Sequence, residues 1–548
     1  MKISAKKTRD DRIPGVAEPL SQTTINKVLC RLIPFAVLCY LLNYMDRVNV
    51  SIAKLAMARD IPGFTDNVYA QGTAIFFVGY CLFELPSNLI QARVGARRWI
   101  ARIMISWGLI SLCFIWTAGP RSFYTLRLLL GLAEAGFFPG MILYLSQWVP
   151  QVYRARASAW FLTSIALAGT LGNPAGGAIL YLSQKHPFLL RPWQWLFLVE
   201  GVPTILLGLI ALFFLTDRPA EARWLSASER VSLTEELARE RREHPAQHAA
   251  DFQHALASPY TWLLSGLYSL VVFGFYTLNY YTPTILRQTL LEAGLLTTQT
   301  PVHLDYLYVG LCSAIPFGAA AVGMVLLARH SDRHHERRLH VAFACACEAI
   351  GLGLAAGATA LPGGAGTVLM IAGLSLAAIG AFGLFGPFWA LPPQLLTGTA
   401  AVAAFAIINS IGNLLGGYLG TECHAFLSVR RHLLLASALS LLATAMTLRL
   451  RLPAPAHRQT PAPLRAPANR HCSRAPSPVG CSRSPPQRGG GLSPPVQRRS
   501  SAARASNAPP FSRPGAADHP AVPCSAAGLD ACGRKLNVEI PGAIPGLA

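Results

Sequence analysis

The sequence has little charge for its length, and this shortage excludes an ordinary soluble protein. Only 13% of the 548 residues are Asp, Glu, Lys or Arg, whereas 52% are hydrophobic. A soluble globular protein carries about a quarter charged residues. The charged fraction of this sequence is about half of that value, and its apolar content is raised. Together these two features indicate a protein that crosses a membrane several times.

Motifs for catalysis or nucleotide hydrolysis are also missing. The glycine-rich stretches LAGTLGNPAGGAIL and AAIGAFGLFGPF lie inside apolar runs and lack the lysine of a phosphate-binding loop. No cysteines have zinc-ligand spacing, and no nucleophile is paired with a base. We therefore expect no enzyme, no cofactor and no metal, and an ion gradient as the source of energy.

Acidic residues are few, 26 against 47 Lys and Arg, which gives a formal net charge of +21. Much of this excess lies after residue 450, and most of the remainder occupies short connections between apolar segments. This distribution favours a lipid surface over nucleic acid as the partner of the basic residues. The first 26 residues lack the apolar core of a cleavable signal peptide, so the first apolar segment should direct insertion.

Twelve apolar segments have the length of about 20 residues that a membrane helix needs. They lie near residues 30–57, 67–91, 99–118, 122–149, 157–183, 193–216, 260–285, 305–329, 339–360, 366–391, 399–421 and 432–449. We expect a cytoplasmic segment at 1–29, six-helix bundles at 30–216 and 259–450, and a charged linker at 217–258.

Basic residues predict the orientation of the helices, and an internal sequence similarity predicts two related halves. Lys and Arg cluster before span 1 and in alternate connections, which places both termini in the cytoplasm, although Arg430 and Arg431 depart from the rule. NLIQARVGARR after span 2 resembles ARHSDRHHERR after span 8. Duplicated halves are predicted to hold a binding site between them at the membrane midplane.

The composition changes abruptly at Arg451, after which Pro, Ser, Ala and Arg dominate. Residues 451–548 are therefore predicted to be a disordered tail. Because the entry to span 12, TECHAFLSVRRH, is unusually polar, a frameshift near residue 421 is a hypothesis. Resequencing the locus tests it: another frame that continues an apolar helix would support the frameshift, and its absence would remove it.

Four charges inside the apolar segments are the most informative residues. Arg127 and Glu134 lie seven residues apart, two helical turns, and so share one face of span 4. Asp46 and Arg47 are neighbours in span 1, so they point to different sides. A charge at the centre of a membrane helix costs roughly 2.5–3.5 kcal/mol. We expect the four to meet in a functional site, because a buried ion pair stabilises less than apolar packing does.

A family resemblance is carried by four motifs: YMDRVNVSIA, FELPSNLIQARVGARRWIARIMISWG, RLLLGLAEAGFFPGMILYLSQWVP and WQWLFLVEGVPTILLG. Together they resemble the anion:cation symporter family of the major facilitator superfamily. Within that family their sequences are similar to those of bacterial permeases for tartrate and other organic acids. The resemblance runs from about Leu38 to Gly420. It implies an all-α polytopic membrane protein with the major facilitator fold, and an organic anion coupled to protons or another cation.

The resemblance also implies roles for individual residues. Asp46 and Glu134 match positions that bind protons, and Arg47 and Arg127 match positions that engage a substrate carboxylate or hold the acids. Further candidates for contact with the substrate are Tyr44, Asn409, Tyr276 and Tyr280.

Two cytoplasmic loops resemble the family's conformational latch. The loop after span 8 keeps Asp332 and Arg333. In the loop after span 2, Asn88 and Ala92 replace the usual glycine and aspartate, while the retained residues are Arg93, Gly95, Arg97 and Arg98.

The sequence therefore predicts a secondary transporter of the bacterial cytoplasmic membrane that takes up a small organic anion with protons by alternating access. The anion is expected to be a carboxylate such as tartrate, a related sugar acid or an aromatic acid, and the protein a monomer. An organic-anion exporter, a receptor that binds without transport, and a non-functional product with an altered C-terminus stay open as alternatives.

Overall fold

The computed structural model describes residues 20–186, 189–243, 248–297, 299–334, 336–396 and 400–450. The elements in these ranges are helices, which confirms the all-α class. Eleven of them, some joined end to end, are long and apolar enough to cross a membrane. They correspond to predicted spans 1–10 and 12.

Four helices of the first half begin with a side-chain cap or with proline. Ser21 and Thr65 accept hydrogen bonds from backbone amides of the first turns at 3.2 and 3.3 Å, and two helices begin with proline, whose missing N–H costs nothing there. The helices are α1 (Gln22–Asp60), α2 (Asp66–Val94), α3 (Ala96–Cys113), α4 (Pro120–Glu134), α5 (Phe137–Ser146), α6 (Gln151–Lys185) and α7 (Pro192–Phe214).

Predicted span 4 is interrupted immediately after Glu134. Gly136, between α4 and α5, has φ +86°, a conformation that L side chains rarely adopt, and a Cβ there would collide with Ser87. The break therefore places the C-terminal end of α4 inside the apolar bundle, where Glu134 and Ala135 are fully buried.

The linker between the halves carries two helices, α8 (Ala227–Glu243) and α9 (His248–Ala257). It is bound to the first half by ion pairs: Lys27 Nζ lies 3.0 Å from Glu229, and Arg154 Nη2 lies 2.8 Å from Glu240. The backbone amide of Ser226 and then the Lys27 ammonium lower the pKa of the Glu229 carboxyl. Glu229 and Glu240 belong to the linker helix α8, outside the membrane-spanning helices.

Predicted spans 10 and 11, in the second half, each form more than one helical element. The predicted eleventh span becomes two helices separated by a π-helical turn, Asn413–Gly417, and so is not among the eleven long apolar helices. The elements are α10 (Pro259–Glu292), α11 (Val302–His334), α12 (Arg338–Ala358), α13 (Gly363–Gly383), α14 (Phe385–Trp389), α15 (Pro392–Leu395), α16 (Ala400–Gly412), α17 (Tyr418–Phe426) and α18 (Val429–Arg449).

The last helix, α18, lies beyond the proposed frameshift and packs on the second half. His432 Nε2 lies 2.9 Å from Thr277 Oγ1, and Ser437 Oγ donates to the carbonyl of Ala349 at 2.7 Å. The frameshift stays a prediction. The predicted tail at 451–548, and most of the predicted segment at 1–29, lie outside the described residues.

Close packing of α12 on α13 depends on glycine and can be tested. A Cβ at Gly351 would collide with the backbone of Gly373 and Ala377, whereas a Cβ at Gly357 in the same helix would meet nothing within 4 Å. We expect Gly351→Ala to lower the thermal unfolding temperature of the purified protein, because overpacking costs about 1–3 kcal/mol. The matched change Gly357→Ala should leave that temperature unchanged or raise it. Equal shifts for the two variants would contradict this account of the packing.

Candidate functional site

The site is built around an ion pair between α1 and α4. Arg47 Nε donates to Glu134 Oε2 at 2.6 Å, and Asn43 Nδ2 donates to the same oxygen at 3.0 Å. Arg47 is 6% exposed and Glu134 is fully buried. Asn43 and Arg47 are one helical turn apart and so reach the same place. Because a carboxylate at the C-terminal end of a helix is opposed by the helix dipole, these two donors are needed to stabilise Glu134.

Asp46 faces away from that ion pair, into the first half. Ser111 of α3 donates its hydroxyl proton to Asp46 Oδ1, with 2.5 Å between the oxygens. The second carboxyl oxygen of Asp46 has no hydrogen-bond partner among the described residues. Asp46 is 3% exposed, so it is a buried acid held by a neutral donor.

Arg127 bonds a backbone carbonyl and not the ion pair. Its Nε donates to the carbonyl of Gly72 at 3.3 Å, and its guanidinium carbon lies 4.8 Å from the ring centre of Phe76. Within the described ranges no carboxylate lies within ion-pair distance of Arg127. Of the four charges, Arg47 and Glu134 are bonded directly to each other, whereas Asp46 and Arg127 lie close enough to interact with this pair electrostatically. Helical periodicity fixes the faces of the four residues but not the neighbour that each one bonds.

A small cavity lies between the two halves of the chain. Its volume is about 30 Å³, which holds roughly two water molecules. The first half contributes Arg47 with the aromatic residues Tyr40, Tyr44, Tyr80 and Phe138. The second half contributes two asparagines, Asn409 and Asn413, with the aromatic residues Tyr268, Phe275, Tyr276, Phe385 and Trp389. Of the predicted site residues, Arg47, Tyr44, Tyr276 and Asn409 line this cavity, whereas Asp46, Glu134, Arg127 and Tyr280 do not.

Asn409 reaches across to the first half through a residue that we did not place in the site. Its amide Nδ2 donates to Glu84 Oε1 of α2 at 2.6 Å, and Ser410 Oγ donates to the other carboxyl oxygen of Glu84 at 2.5 Å. Glu84 is 1% exposed. The sequence offered one signal for Glu84: it lies in the apolar stretch FELPSN, where a charge is costly.

The predicted tyrosines occupy different positions. Tyr276 donates its hydroxyl proton to Asn413 Oδ1 at 2.9 Å, and its ring stacks on that of Tyr280 with 5.8 Å between centres. The backbone carbonyl of Tyr280 accepts the hydroxyl of Tyr69 from the first half at 3.0 Å. Tyr44 packs against Phe275 across the halves, with 6.3 Å between ring centres.

Comparison with known proteins assigns this architecture to a family. The family model of the Major Facilitator Superfamily matches residues 36–420, most of the chain. The chain belongs to the major facilitator superfamily.

Individual relatives place this facilitator among bacterial transporters. It is 42% identical, over 75% of its own length and 86% of the other, to an Agrobacterium vitis protein described as a candidate tartrate transporter. It is 37% identical, over 72% of its length and 86% of the other, to a quinolone resistance transporter of Acinetobacter baumannii. A structure of the xylose transporter XylE from E. coli in a partially occluded inward-open conformation has a TM-score of 0.58 and 14% identity, over 77% of this chain and 98% of that one. The protein is therefore a multi-pass membrane transporter and not an enzyme.

The two halves of the transporter are bound together by charges where α1 ends. Asp305 of α11 is 5% exposed and lies 2.8 Å from Arg287 Nη2 in its own half. It also lies 3.7 Å from Arg59 Nη2 in the other half. Lys54 Nζ approaches Thr284 Oγ1 at 3.4 Å close by. These contacts join the two halves at this end of the protein.

The predicted latch loops of the facilitator make separate contacts. Gly95, with φ +95°, lies between α2 and α3, and the backbone N–H of Arg97 donates to Asp217 Oδ1 at 2.8 Å. In the second loop Asp332 pairs with Arg337 at 2.7 Å. Arg93, Arg98 and Arg333 lie at the ends of their helices. The latch role of these residues stays a prediction.

Proposed function

We propose that this transporter moves a small organic carboxylate together with protons by alternating access between its two halves. The observation that carries the proposal is the position of Arg47, whose Nε is bonded to Glu134 while its side chain also lines the cavity. One guanidinium is therefore within reach of both a protein carboxylate and a bound anion. Arginine suits this role because its planar fork binds carboxylate through two nitrogens and keeps its proton.

This shared arginine gives a physical route to coupling. When a substrate carboxylate engages Arg47, Glu134 loses part of its counter-charge in a buried place and binds a proton more readily. Proton and substrate then favour each other's binding, and such coupling is reciprocal. Asp46 is proposed as a second proton-binding residue. The residues proposed to contact the substrate as the halves rearrange are Arg47, Arg127, Tyr44, Asn409, Tyr276 and Tyr280.

The relative described for tartrate supports a carboxylate as the substrate class, which in this proposal includes tartrate, related sugar acids and aromatic acids. Basic residues in alternate connections support cytoplasmic termini in a bacterial inner membrane, and we propose uptake by a monomer. The relative named for quinolone resistance favours a second candidate, export of an organic anion by the same fold.

The test is uptake of labelled organic acids by proteoliposomes that contain the purified full-length chain. With a lumen one pH unit more alkaline than the outside, symport of one proton with a monoanion should accumulate the substrate about tenfold, since tenfold corresponds to about 1.4 kcal/mol. Protein-free vesicles measure the passive entry of neutral acid, which is subtracted. Folded protein that accumulates no acid, or that accumulates acids equally after a protonophore removes the gradient, would contradict the proposal. Reversing the gradient tests export.

A further inference from the structure

The cavity between the halves has the lining of a site for an aromatic ring rather than for a hydroxy-dicarboxylate. We propose that the substrate is an aromatic monocarboxylate, a planar ring with one carboxylate, in preference to tartrate. This inference rests on the proposed function and narrows its substrate class.

Aromatic side chains dominate the lining. Nine of the fifteen lining residues are Phe, Tyr or Trp, and they come from both halves. Several meet ring to ring: Tyr268 lies 6.5 Å from Phe385, and Phe275 lies 5.2 Å from Phe385, between ring centres. Aromatic rings prefer other rings as edge-to-face or offset-stacked neighbours. A planar ring that entered as the halves separated would find such partners on both sides.

The charge of the cavity fits one carboxylate and not two. Among the lining residues Arg47 is the cation, and its Nε is already bonded to Glu134. A second carboxylate on the ligand would be buried against asparagine amides and apolar rings without a counter-ion, which is costly. Arg127, which is proposed to contact the substrate only as the halves rearrange, does not reach this lining and so does not supply it with a second cation.

Two polar groups in the lining lack partners. The Tyr44 hydroxyl and the Trp389 indole N–H are buried and have no hydrogen-bond partner among the described residues. Buried donors in native proteins are nearly always bonded, so each such orphan needs an explanation. A ligand that offers acceptors to both groups, such as a carboxylate with a further ring heteroatom or oxygen, would satisfy both donors. The present volume of about 30 Å³ is too small for any such ligand, so binding requires the halves to move apart.

The experiment compares three acids as ligands of the purified full-length transporter in detergent, by ligand-dependent thermal stabilisation at a pH where all are ionised. Benzoate and cyclohexanecarboxylate carry the same charge and have similar size, so they differ in the aromatic ring. Tartrate carries two carboxylates. We expect benzoate to bind about tenfold more tightly than either of the other two acids.

A phenylalanine pair supplies the matched variants. Phe275 lines the cavity, whereas Phe213 of α7 is 88% exposed on the outer surface. Phe275→Leu should remove most of the preference for benzoate over cyclohexanecarboxylate, and Phe213→Leu should keep it. If Phe275→Leu does not fold, the comparison of the three acids on the unaltered chain still tests whether an aromatic monocarboxylate is preferred.

Three results overturn the inference: tartrate binding as tightly as benzoate, equal binding of benzoate and cyclohexanecarboxylate, or a preference that survives Phe275→Leu. Proton-driven accumulation of tartrate without any aromatic preference would overturn this inference and leave the proposed function standing. Folded protein that neither binds nor accumulates any organic acid would overturn both.

Discussion

Replacing Glu134 by glutamine is expected to abolish proton-driven accumulation while substrate exchange across the membrane continues. Glutamine keeps the shape of the side chain and can still accept hydrogen bonds from Asn43 and Arg47, but it cannot take up a proton. The accumulation imposed by one pH unit should fall from about tenfold to no accumulation. Proteoliposome uptake with and without the gradient, followed by exchange of preloaded substrate, measures both parts of this result.

The matched control is Glu292→Gln, which removes an exposed carboxylate at the end of α10; among the described residues its side chain bonds that of the neighbouring Gln288. It should leave gradient-driven uptake unchanged. Accumulation that persists in Glu134→Gln would remove Glu134 from the proton path and leave Asp46 as the candidate. Loss of exchange as well as accumulation would instead mean that Glu134 is needed for substrate binding.

The fold could be predicted from the sequence because its cause is local. Each bilayer-spanning helix is a run of about 20 apolar residues, and such runs are visible without knowing what they pack against. The exceptions also have local causes: Gly136, with its positive φ, interrupts span 4, and the π-helical turn at Asn413–Gly417 divides span 11. A glycine inside an apolar run permits a break but does not require one, so the position of the break could not be predicted.

The site could be predicted only in part because its contacts are between helices. The positions of Asp46 and Arg47 as sequence neighbours implied different surroundings, and the structure has Ser111 beside one and Glu134 beside the other. Periodicity could not decide whether Glu134 would meet Arg47 or Arg127, because that choice depends on how α1 and α4 are aligned.

Glu84 is a further example of a contact between helices that the sequence could not predict. It was not among the predicted site residues, yet both of its carboxyl oxygens are bonded by α16 of the opposite half. No local pattern links residues that are more than 300 positions apart. The aromatic lining of the cavity, contributed by several helices of each half, was hidden for the same reason.

Removing Arg47 alone is expected to destabilise the transporter strongly, and removing its partner as well should restore much of that stability. Arg47→Gln leaves the fully buried Glu134 carboxylate with Asn43 as its remaining donor, and breaking a buried ion pair in this way costs about 3–5 kcal/mol. The double change Arg47→Gln with Glu134→Gln removes both charges, which is often nearly neutral for stability. Thermal unfolding in detergent should therefore place the double variant well above Arg47→Gln.

Arg127→Gln is the control that separates this ion pair from a general effect of losing a buried arginine. Arg127 bonds a backbone carbonyl and has no carboxylate partner in the described ranges, so its loss leaves Glu134 paired and should cost less than the loss of Arg47. If the double variant is no more stable than Arg47→Gln, the charges of Arg47 and Glu134 are not energetically coupled. Recovery of stability without recovery of transport would be the decisive combination, because the ion pair would then be kept for its part in carrying substrate and proton and not for holding α1 against α4.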